Sequence, residues 1–340
     1  MSGETSTASH LSVAMTTAED DITQTTGVDG VTSSSSRGVA LYFECAVLII
    51  GVVGTAANGL VLYALVASRQ HKKHELIVNQ NALDLYSCVF LIISYGMKLF
   101  KIDLTGSLGY WLCVFLLSEN LLWCGICGSY ANLTLIAIER YLKVVHAAWS
   151  KKHLRKWMIY AAIAFAWISS FVRNMAVAFE SSAVINGACM GYTVWKNPVS
   201  QLAYSIFYFL SAYVLVLMIF IFCYGRILIA VRHQVRVMAS HDSAGLSAGQ
   251  TQTSRPKIQS SATKTMILVC AFYAVAWLPD NMLYFLLMVM NLQLSFVDAV
   301  YYLFLFIAFL YICVKITVIT VKRCLTVIVN HNVLDIVELE

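Results

Sequence analysis

The residues of this chain that could do chemistry are few, and most stand alone. Cys124 and Cys127 have the C-x-x-C spacing of a redox pair or half a metal site, His71 and His74 lie in a basic loop, and Asp84, Glu119, Asp280 and Lys315 are single charges within apolar runs. The two cysteines have no further ligands near them in the sequence and read as packed thiols; the histidines read as a solvated face. There is no Gly-rich phosphate loop, nucleophile elbow or His-Glu metalloprotease helix, so neither an enzymatic activity nor a cofactor is expected. What remains is electrostatic. The stretch Ser129 to Tyr141 closes a long apolar run with Glu139-Arg140-Tyr141. A charge at the edge of hydrocarbon costs free energy unless it snorkels, pairs or works. Arg140 can pair with Glu139 or swing away to another group, which makes it a candidate switch; the plain alternative is an ordinary snorkelling pair.

Composition sets the surroundings of these groups. The residues are 59% hydrophobic and 12% charged, with three prolines, where a soluble domain carries about a quarter charged residues. From Val39 the chain divides into seven apolar runs, near 39–67, 76–100, 111–144, 157–179, 199–231, 263–290 and 297–321. Each suffices for the roughly 20 residues that cross a bilayer as a helix. The expected fold class is an all-α membrane protein, a seven-transmembrane helix bundle over residues 39–321.

Residues 1–38 are rich in Ser and Thr and read as a disordered extracellular tail. They offer neither the apolar core of a cleavable signal peptide nor an Asn for glycosylation, and residues 322–340 read as a short cytoplasmic tail. Ten cysteines are too few for a disulfide scaffold, and those inside apolar runs read as small core residues. With the N-terminal tail outside, sixteen Lys and Arg fall in the inner segments, against Arg37, Lys98, Lys101 and Lys196 on the outer side. That asymmetry follows the positive-inside rule and puts Arg140 at the cytosol. The net charge of +5 then reflects topology and attraction to anionic lipid heads rather than nucleic-acid binding.

Ser129, Leu133, Ile136 and Glu139-Arg140-Tyr141 resemble the third transmembrane helix of a rhodopsin-like (class A) G-protein-coupled receptor. Asn58 with Gly59, Asn79 with Asp84, Trp111, Trp167, Tyr224 and Trp277-Leu278-Pro279 resemble further motifs of that family, in its order, from Gly54 to Pro279. The resemblance implies a disulfide from Cys113 to Cys189 in the second outer loop, compatible with an oxidising exterior. Cys113 stands 27 residues before Arg140, two more than the family pattern, which predicts a bulge in that helix. Val216 stands where the family has a proline, and Tyr273 replaces a phenylalanine. In the seventh run Lys315, Ile316 and Ile319 stand where the family has Asn, Pro and Tyr. Either this receptor is degenerate at that part of the activation machinery, or the end of the sequence has been altered.

The resemblance implies an extracellular ligand held among the outer halves of the third, fifth, sixth and seventh helices, and a sixth helix that swings about Pro279 to admit a heterotrimeric G-protein. Glu139, Arg140, Tyr141, Tyr224, Trp277 and Pro279 form the implied switch, and a receptor kinase and arrestin are further partners. Glu119, Leu122, Trp277, Asp280 and Asn281 are the candidate ligand pocket. Leu122 takes the place of the amine-binding acid, which disfavours an amine bound in the family's usual way. Glu119 either lines the cavity or pairs with Arg173. Asn58, Asp84, Ser129 and Lys315 form a candidate intramembrane polar site, in which the Lys315 ammonium either reaches Asp84 and takes the place of the family's sodium ion or snorkels to the inner surface.

Gln259 replaces the acid that often restrains the arginine from the sixth helix, leaving Glu139. The hydroxyls from Ser240 to Ser261 read as kinase sites or as a plain linker, and Cys324 is a candidate for palmitoylation. Three other classes stand beside this reading. A degenerate, non-signalling receptor-like protein is one. An opsin-like photoreceptor would need a lysine near Phe309, about two turns from Lys315. A transporter would show internal repeats and broken helices, and no repeat is seen.

Overall fold

A computed structural model of the chain describes residues 29–69, 74–100, 102–192, 194–243, 254–290, 300–312 and 315. The chain is built of helices, α1 Asp29–Ala67, α2 Glu75–Leu99, α3 Gly106–Leu112, α4 Asn120–Val145, α5 Ala147–His153, α6 Lys156–Ser181, α7 Pro198–Tyr208, α8 Leu215–Ser243, α9 Ser254–Met290 and α10 Val300–Ile312. One hairpin of two short strands, β1 Ala183–Ile185 and β2 Ala188–Met190, follows α6. Six stretches are long and apolar enough to cross a membrane, α3 with α4 and α7 with α8 each counting as one, and α10 supplies a shorter seventh apolar helix. This is the expected helix bundle. The 1–28 tail, the loop residues 244–253, Ile316, Ile319 and Cys324 lie outside the described residues, as do the side chains of Ser254 to Ser261.

α4 is the hub, packing against α2, α6 and α8, while α1 packs on α2. Its facing residues Leu122, Cys127, Leu133 and Ile136 are almost fully buried. Large apolar side chains such as Tyr63, Phe165 and Ile221 stand on the outer surface. In lipid such exposure carries no hydrophobic penalty, so helix association rests on close packing and polar contacts.

Three features of the spans bear on the sequence reading. α1 starts at Asp29, ten residues ahead of the expected span and inside the stretch expected to be disordered. Once an apolar helix is nucleated, each added residue gains a hydrogen bond at little cost, which carries the helix back into the Ser-rich segment. The third span is interrupted: residues Cys113–Leu117 form a π turn and Glu119 adopts the left-handed region at φ 59° before α4 begins. The expected bulge is therefore present, with a physical reason. Cys113 is tied at the outer end, and the wider π turn absorbs the surplus residues before Arg140. A second π turn, Phe209–Val214, joins α7 to α8 just ahead of Val216.

α9 continues through Pro279. The missing N–H and the ring make a weak point in its ladder, of a kind that neighbouring helices tolerate in membrane bundles.

Candidate functional site

The hairpin packs against the π turn that begins at Cys113. Asn186 and Gly187 both have positive φ, 52° and 78°, the two-residue turn that Asn-Gly favours because its twist matches that of the flanking strands. The pairing sets Cys189 opposite Val184, and Cys189 is disulfide-bonded to Cys113 with Cα atoms 5.2 Å apart.

Midway down the bundle, α2 and α4 approach through glycine. A Cβ on Gly125 would stand 2.4 Å from Ser87 Oγ, and one on Gly128 2.7 Å from a Leu83 methyl, so bare backbone at these two positions is what admits the close approach. Just beyond them Ser129 Oγ donates to Asp84 Oδ1 at 2.7 Å. Lys315 Nζ donates to the same carboxylate oxygen at 2.8 Å and to Ser129 Oγ at 2.8 Å. Gln80 Nε2 donates to Ser129 Oγ at 2.6 Å and reaches Asp84 Oδ2 at 3.3 Å. The Ser129 hydroxyl thus gives one hydrogen bond and receives two, its full capacity. Asp84 and Lys315 are buried to 0% and 1% exposure. A lone charge at that depth costs of order 2.5–3.5 kcal/mol; pairing with hydrogen bonds to the remaining atoms offsets both charges at once. Between the two sequence alternatives for Lys315, the geometry is that of the pair, not of a snorkelling side chain.

The network extends from this pair toward the Arg140 end of the bundle. Asn132 Nδ2 donates to Gln80 Oε1 at 2.9 Å, Asn79 Nδ2 to Asn132 Oδ1 at 2.9 Å, and Trp167 Nε1 to Asn79 Oδ1 at 2.9 Å. A continuous set of hydrogen bonds therefore runs from α6 through α2 and α4 to Lys315. Gln80 and Asn132 were not singled out in the sequence; the available signal was spacing, since Gln80 precedes Asp84 by one helical turn and Asn132 follows Ser129 by nearly one. Asn58, expected in the polar site, does not join it. Its Nδ2 bonds back to Gly54 O at 2.8 Å and points toward Cys88 Sγ at 4.0 Å, because a mid-helix Asn readily satisfies itself on its own preceding turn.

Nearer the disulfide end of the bundle, the sequence alternative of a Glu119–Arg173 pair is corrected. Glu119 forms an ion pair with Lys98 of α2, and Lys98 stands 4.5 Å from the centre of the Tyr95 ring. The π turn and the left-handed residue rotate Glu119 away from α6. Arg173 instead donates to the Tyr130 hydroxyl and lies 5.8 and 6.0 Å from the ring centres of Tyr130 and Tyr208. Leu122 is wholly buried in the core. Trp277 is buried beside Trp123, ring centres 6.2 Å apart, with its indole N–H unpartnered. Asn281 Nδ2 bonds back to Trp277 O at 2.8 Å. Asp280 is 7% exposed, and no hydrogen bond or ion pair reaches its carboxylate among the described residues.

Two reciprocal bonds tie the second π turn to α9. Tyr213 Oη donates to Ala274 O at 2.9 Å and Tyr273 Oη to Ala212 O at 2.7 Å. The tyrosine at 273, where the family has phenylalanine, thereby gains a defined partner.

At the C-terminal end of α4 Glu139 accepts from Lys143 at 2.5 Å, one turn along the helix, and Tyr141 Oη lies 3.0 Å from His146 Nε2. Neither contact involves Arg140, whose buried Nε has no hydrogen-bond partner. Tyr224 is buried within electrostatic reach of Arg140 and of Cys270.

A bundle of apolar helices, an outer hairpin tied by a disulfide and buried charges in the interior define a polytopic membrane protein of the seven-helix receptor class. Residues 57–315 match the family described as 7 transmembrane receptor (rhodopsin family), and the chain belongs to that family. Mouse galanin receptor type 1 (Mus musculus) is 21% identical over 242 residues, covering 69% of this chain and 65% of the receptor. Rat lysophosphatidic acid receptor 3 (Rattus norvegicus) is 25% identical over 229 residues, 66% and 59% of the two chains. Mouse substance-K receptor is 24% identical over 264 residues, 76% and 65%. The matched stretch spans just under two thirds of these relatives' length.

Proposed function

We propose that the chain is a plasma-membrane G-protein-coupled receptor, with its N-terminus outside and its C-terminus in the cytosol, that transmits binding of an extracellular ligand to a heterotrimeric G-protein. The observation that carries this reading is the inner end of α4. Arg140 is held by no acid among the described residues, because Glu139 is engaged by Lys143, so the guanidinium is available to a cytosolic partner. Tyr224 stands beside it, and Trp277 with Pro279 gives the sixth span a pivot above the same opening. Ligand binding favours the state in which that span has moved outward, by the difference in its affinity for the two states. The Lys315 ammonium occupies the position of the family's cation, next to Asp84 and Ser129. Phosphorylation of hydroxyls between Ser240 and Ser261 by a receptor kinase, followed by arrestin binding, is the proposed route of desensitisation.

The direct experiment is guanine-nucleotide exchange on membranes from cells expressing the full chain, with surface expression verified in parallel. Ligand-independent exchange above mock-transfected membranes, abolished by Arg140→Ala, is expected with at least one G-protein class. Absence of exchange with every class, at normal surface expression, would reject the signalling reading.

A further inference from the structure

Among the described residues, four that are not glycine hold positive φ: Arg69, Glu119, Asn186 and Tyr192. Asn186 suits its hairpin turn, and Glu119 follows the first π turn. Tyr192, at φ 60°, is a bulky residue in the left-handed region, where such side chains rarely stand and where strain gathers at ligand clamps and switches. Its neighbours hold it there. Gly191 presses on Ser118, at the end of that π turn, so closely that a Cβ would lie 2.6 Å from Ser118 Cβ. Val194 N donates to Ser181 O, at the end of α6, at 3.2 Å. Trp195 Nε1 donates to Tyr192 O at 3.1 Å, and the Trp195 ring lies 5.7 Å from that of Tyr204 on α7.

These contacts fix the direction of the partly buried phenol. Tyr192 Oη donates to Oδ1 of Asn120, the first residue of α4, at 3.4 Å. Asn120 is wholly buried, and its amide nitrogen turns to Met175 Sδ on α6 at 3.2 Å. A buried carbonyl oxygen left without a donor is costly, and here the donor comes from a loop rather than from a helix of the bundle. The chain thus folds a connecting segment inward so that a phenol reaches a buried acceptor where α4 meets α6.

We infer that the disulfide end of the bundle holds a binding site for a hydroxyaryl group, with Asn120 Oδ1 as the acceptor of its hydroxyl, and that Tyr192 is the chain's own occupant of that site. A ligand using the site displaces Tyr192 and takes over its hydrogen bond, and relief of the left-handed backbone favours the exchange. This rests on the receptor reading for its signalling meaning; its test measures binding without a G-protein, so the two fail separately.

Tyr192→Gly empties the site without strain, since glycine adopts positive φ freely. The probe is 4-methylphenol, the tyrosine side chain detached from its backbone, with toluene as the arm that lacks the hydroxyl. Each is added to the purified full chain while its thermal unfolding is followed. Tyr192→Gly is expected to lower Tm, 4-methylphenol at millimolar concentration to restore much of the loss, and toluene to restore less. Neither compound should raise the Tm of the unmodified chain or of Tyr192→Phe, in which the ring still fills the site. Adding Asn120→Ala to Tyr192→Gly should weaken the apparent affinity for 4-methylphenol about fivefold, the worth of one neutral hydrogen bond.

A Tm raised by Tyr192→Gly would make the tyrosine a strained surface residue and overturn the proposal. Stabilisation of the unmodified chain by 4-methylphenol as large as that of the variant would also overturn it, as would equal effects of toluene and 4-methylphenol, or no stabilisation of the variant at any soluble concentration. Folding of Tyr192→Gly only when 4-methylphenol is present during purification would support the site. If that variant does not fold even then, Tyr192→Phe decides: a lowered Tm is expected from the orphaned Asn120 oxygen, and an unchanged Tm would overturn the proposal.

Discussion

Glu139 is bound to Lys143, one helical turn further along α4, and not to its neighbour Arg140. The residue available to restrain the arginine from its own helix is thereby turned away from it. Removing the lysine should return Glu139 to Arg140. Lys143→Ala is expected to lower ligand-independent nucleotide exchange, and Gln259→Glu, which supplies an acid from the sixth span, should lower it further. One charge-assisted bond is worth ~1.5–3 kcal/mol, enough to shift a two-state equilibrium severalfold or more. Unchanged basal exchange in both variants would show that Arg140 is restrained in some other way.

Burial of Lys315 against Asp84 carries a stability cost when either charge is removed alone. Lys315→Met or Asp84→Asn should destabilise the purified protein by about 3–5 kcal/mol, since each leaves an uncompensated buried charge. The double variant should recover much of the loss. A double-mutant cycle on thermal unfolding reads the coupling; additive losses would mean that the pair contributes nothing as a pair.

The same geometry predicts a response to ions. The unmodified protein should unfold at the same temperature in sodium as in a large organic cation at equal ionic strength. Lys315→Asn, which vacates the ammonium and leaves Asp84 and Ser129 in place, should become more stable in sodium alone. A marked sodium effect on the unmodified protein would contradict occupation of the site by Lys315.

Tyr213 and Tyr273 join the fifth and sixth spans by one hydroxyl each. Tyr213→Phe and Tyr273→Phe remove a hydrogen bond while keeping the ring, and each should cost ~1 kcal/mol in unfolding free energy. Since the spans are expected to separate on activation, both variants should also raise basal exchange. A stability loss with no rise in exchange would make these bonds structural only.

Glu119 holds a left-handed backbone conformation that costs roughly 1–2 kcal/mol for a non-glycine residue. Asn tolerates that conformation but lacks the charge. Glu119→Asn should therefore report the Lys98 ion pair alone, and because Lys98 is 30% exposed the loss should stay below about 1 kcal/mol. A much larger loss would mean that the pair anchors the whole π turn.

Much of the bundle was legible because apolar length dictates membrane helices and Lys/Arg asymmetry suggests their orientation. The surplus spacing between Cys113 and Arg140 likewise foretold an interruption. What the sequence does not carry is direction within that interruption: the rotation at Glu119 decides that the carboxylate meets Lys98 and leaves Arg173 to Tyr130, and no periodicity rule encodes a left-handed residue. Lys315 was legible as a charge in need of a partner, and Asp84 as the nearest candidate. The support around them was not, because Gln80 and Asn132 look like incidental polar residues until the close α2–α4 contact at Gly125 and Gly128 brings both helices within hydrogen-bonding distance. Asn58 failed in the opposite way, since a mid-helix amide that bonds its own turn is indistinguishable in sequence from one that reaches across.

The ammonium beside Asp84 belongs to the chain itself. A diffusible ion fills its seat in proportion to its concentration, and so lets the composition of the medium act on the protein. A side chain fixed by its own helix has an effective concentration set by covalent attachment, which no change in the surrounding fluid dilutes. With Lys315 seated between Asp84 and Ser129, a setting that could have been read from the environment becomes one that is inherited with the sequence.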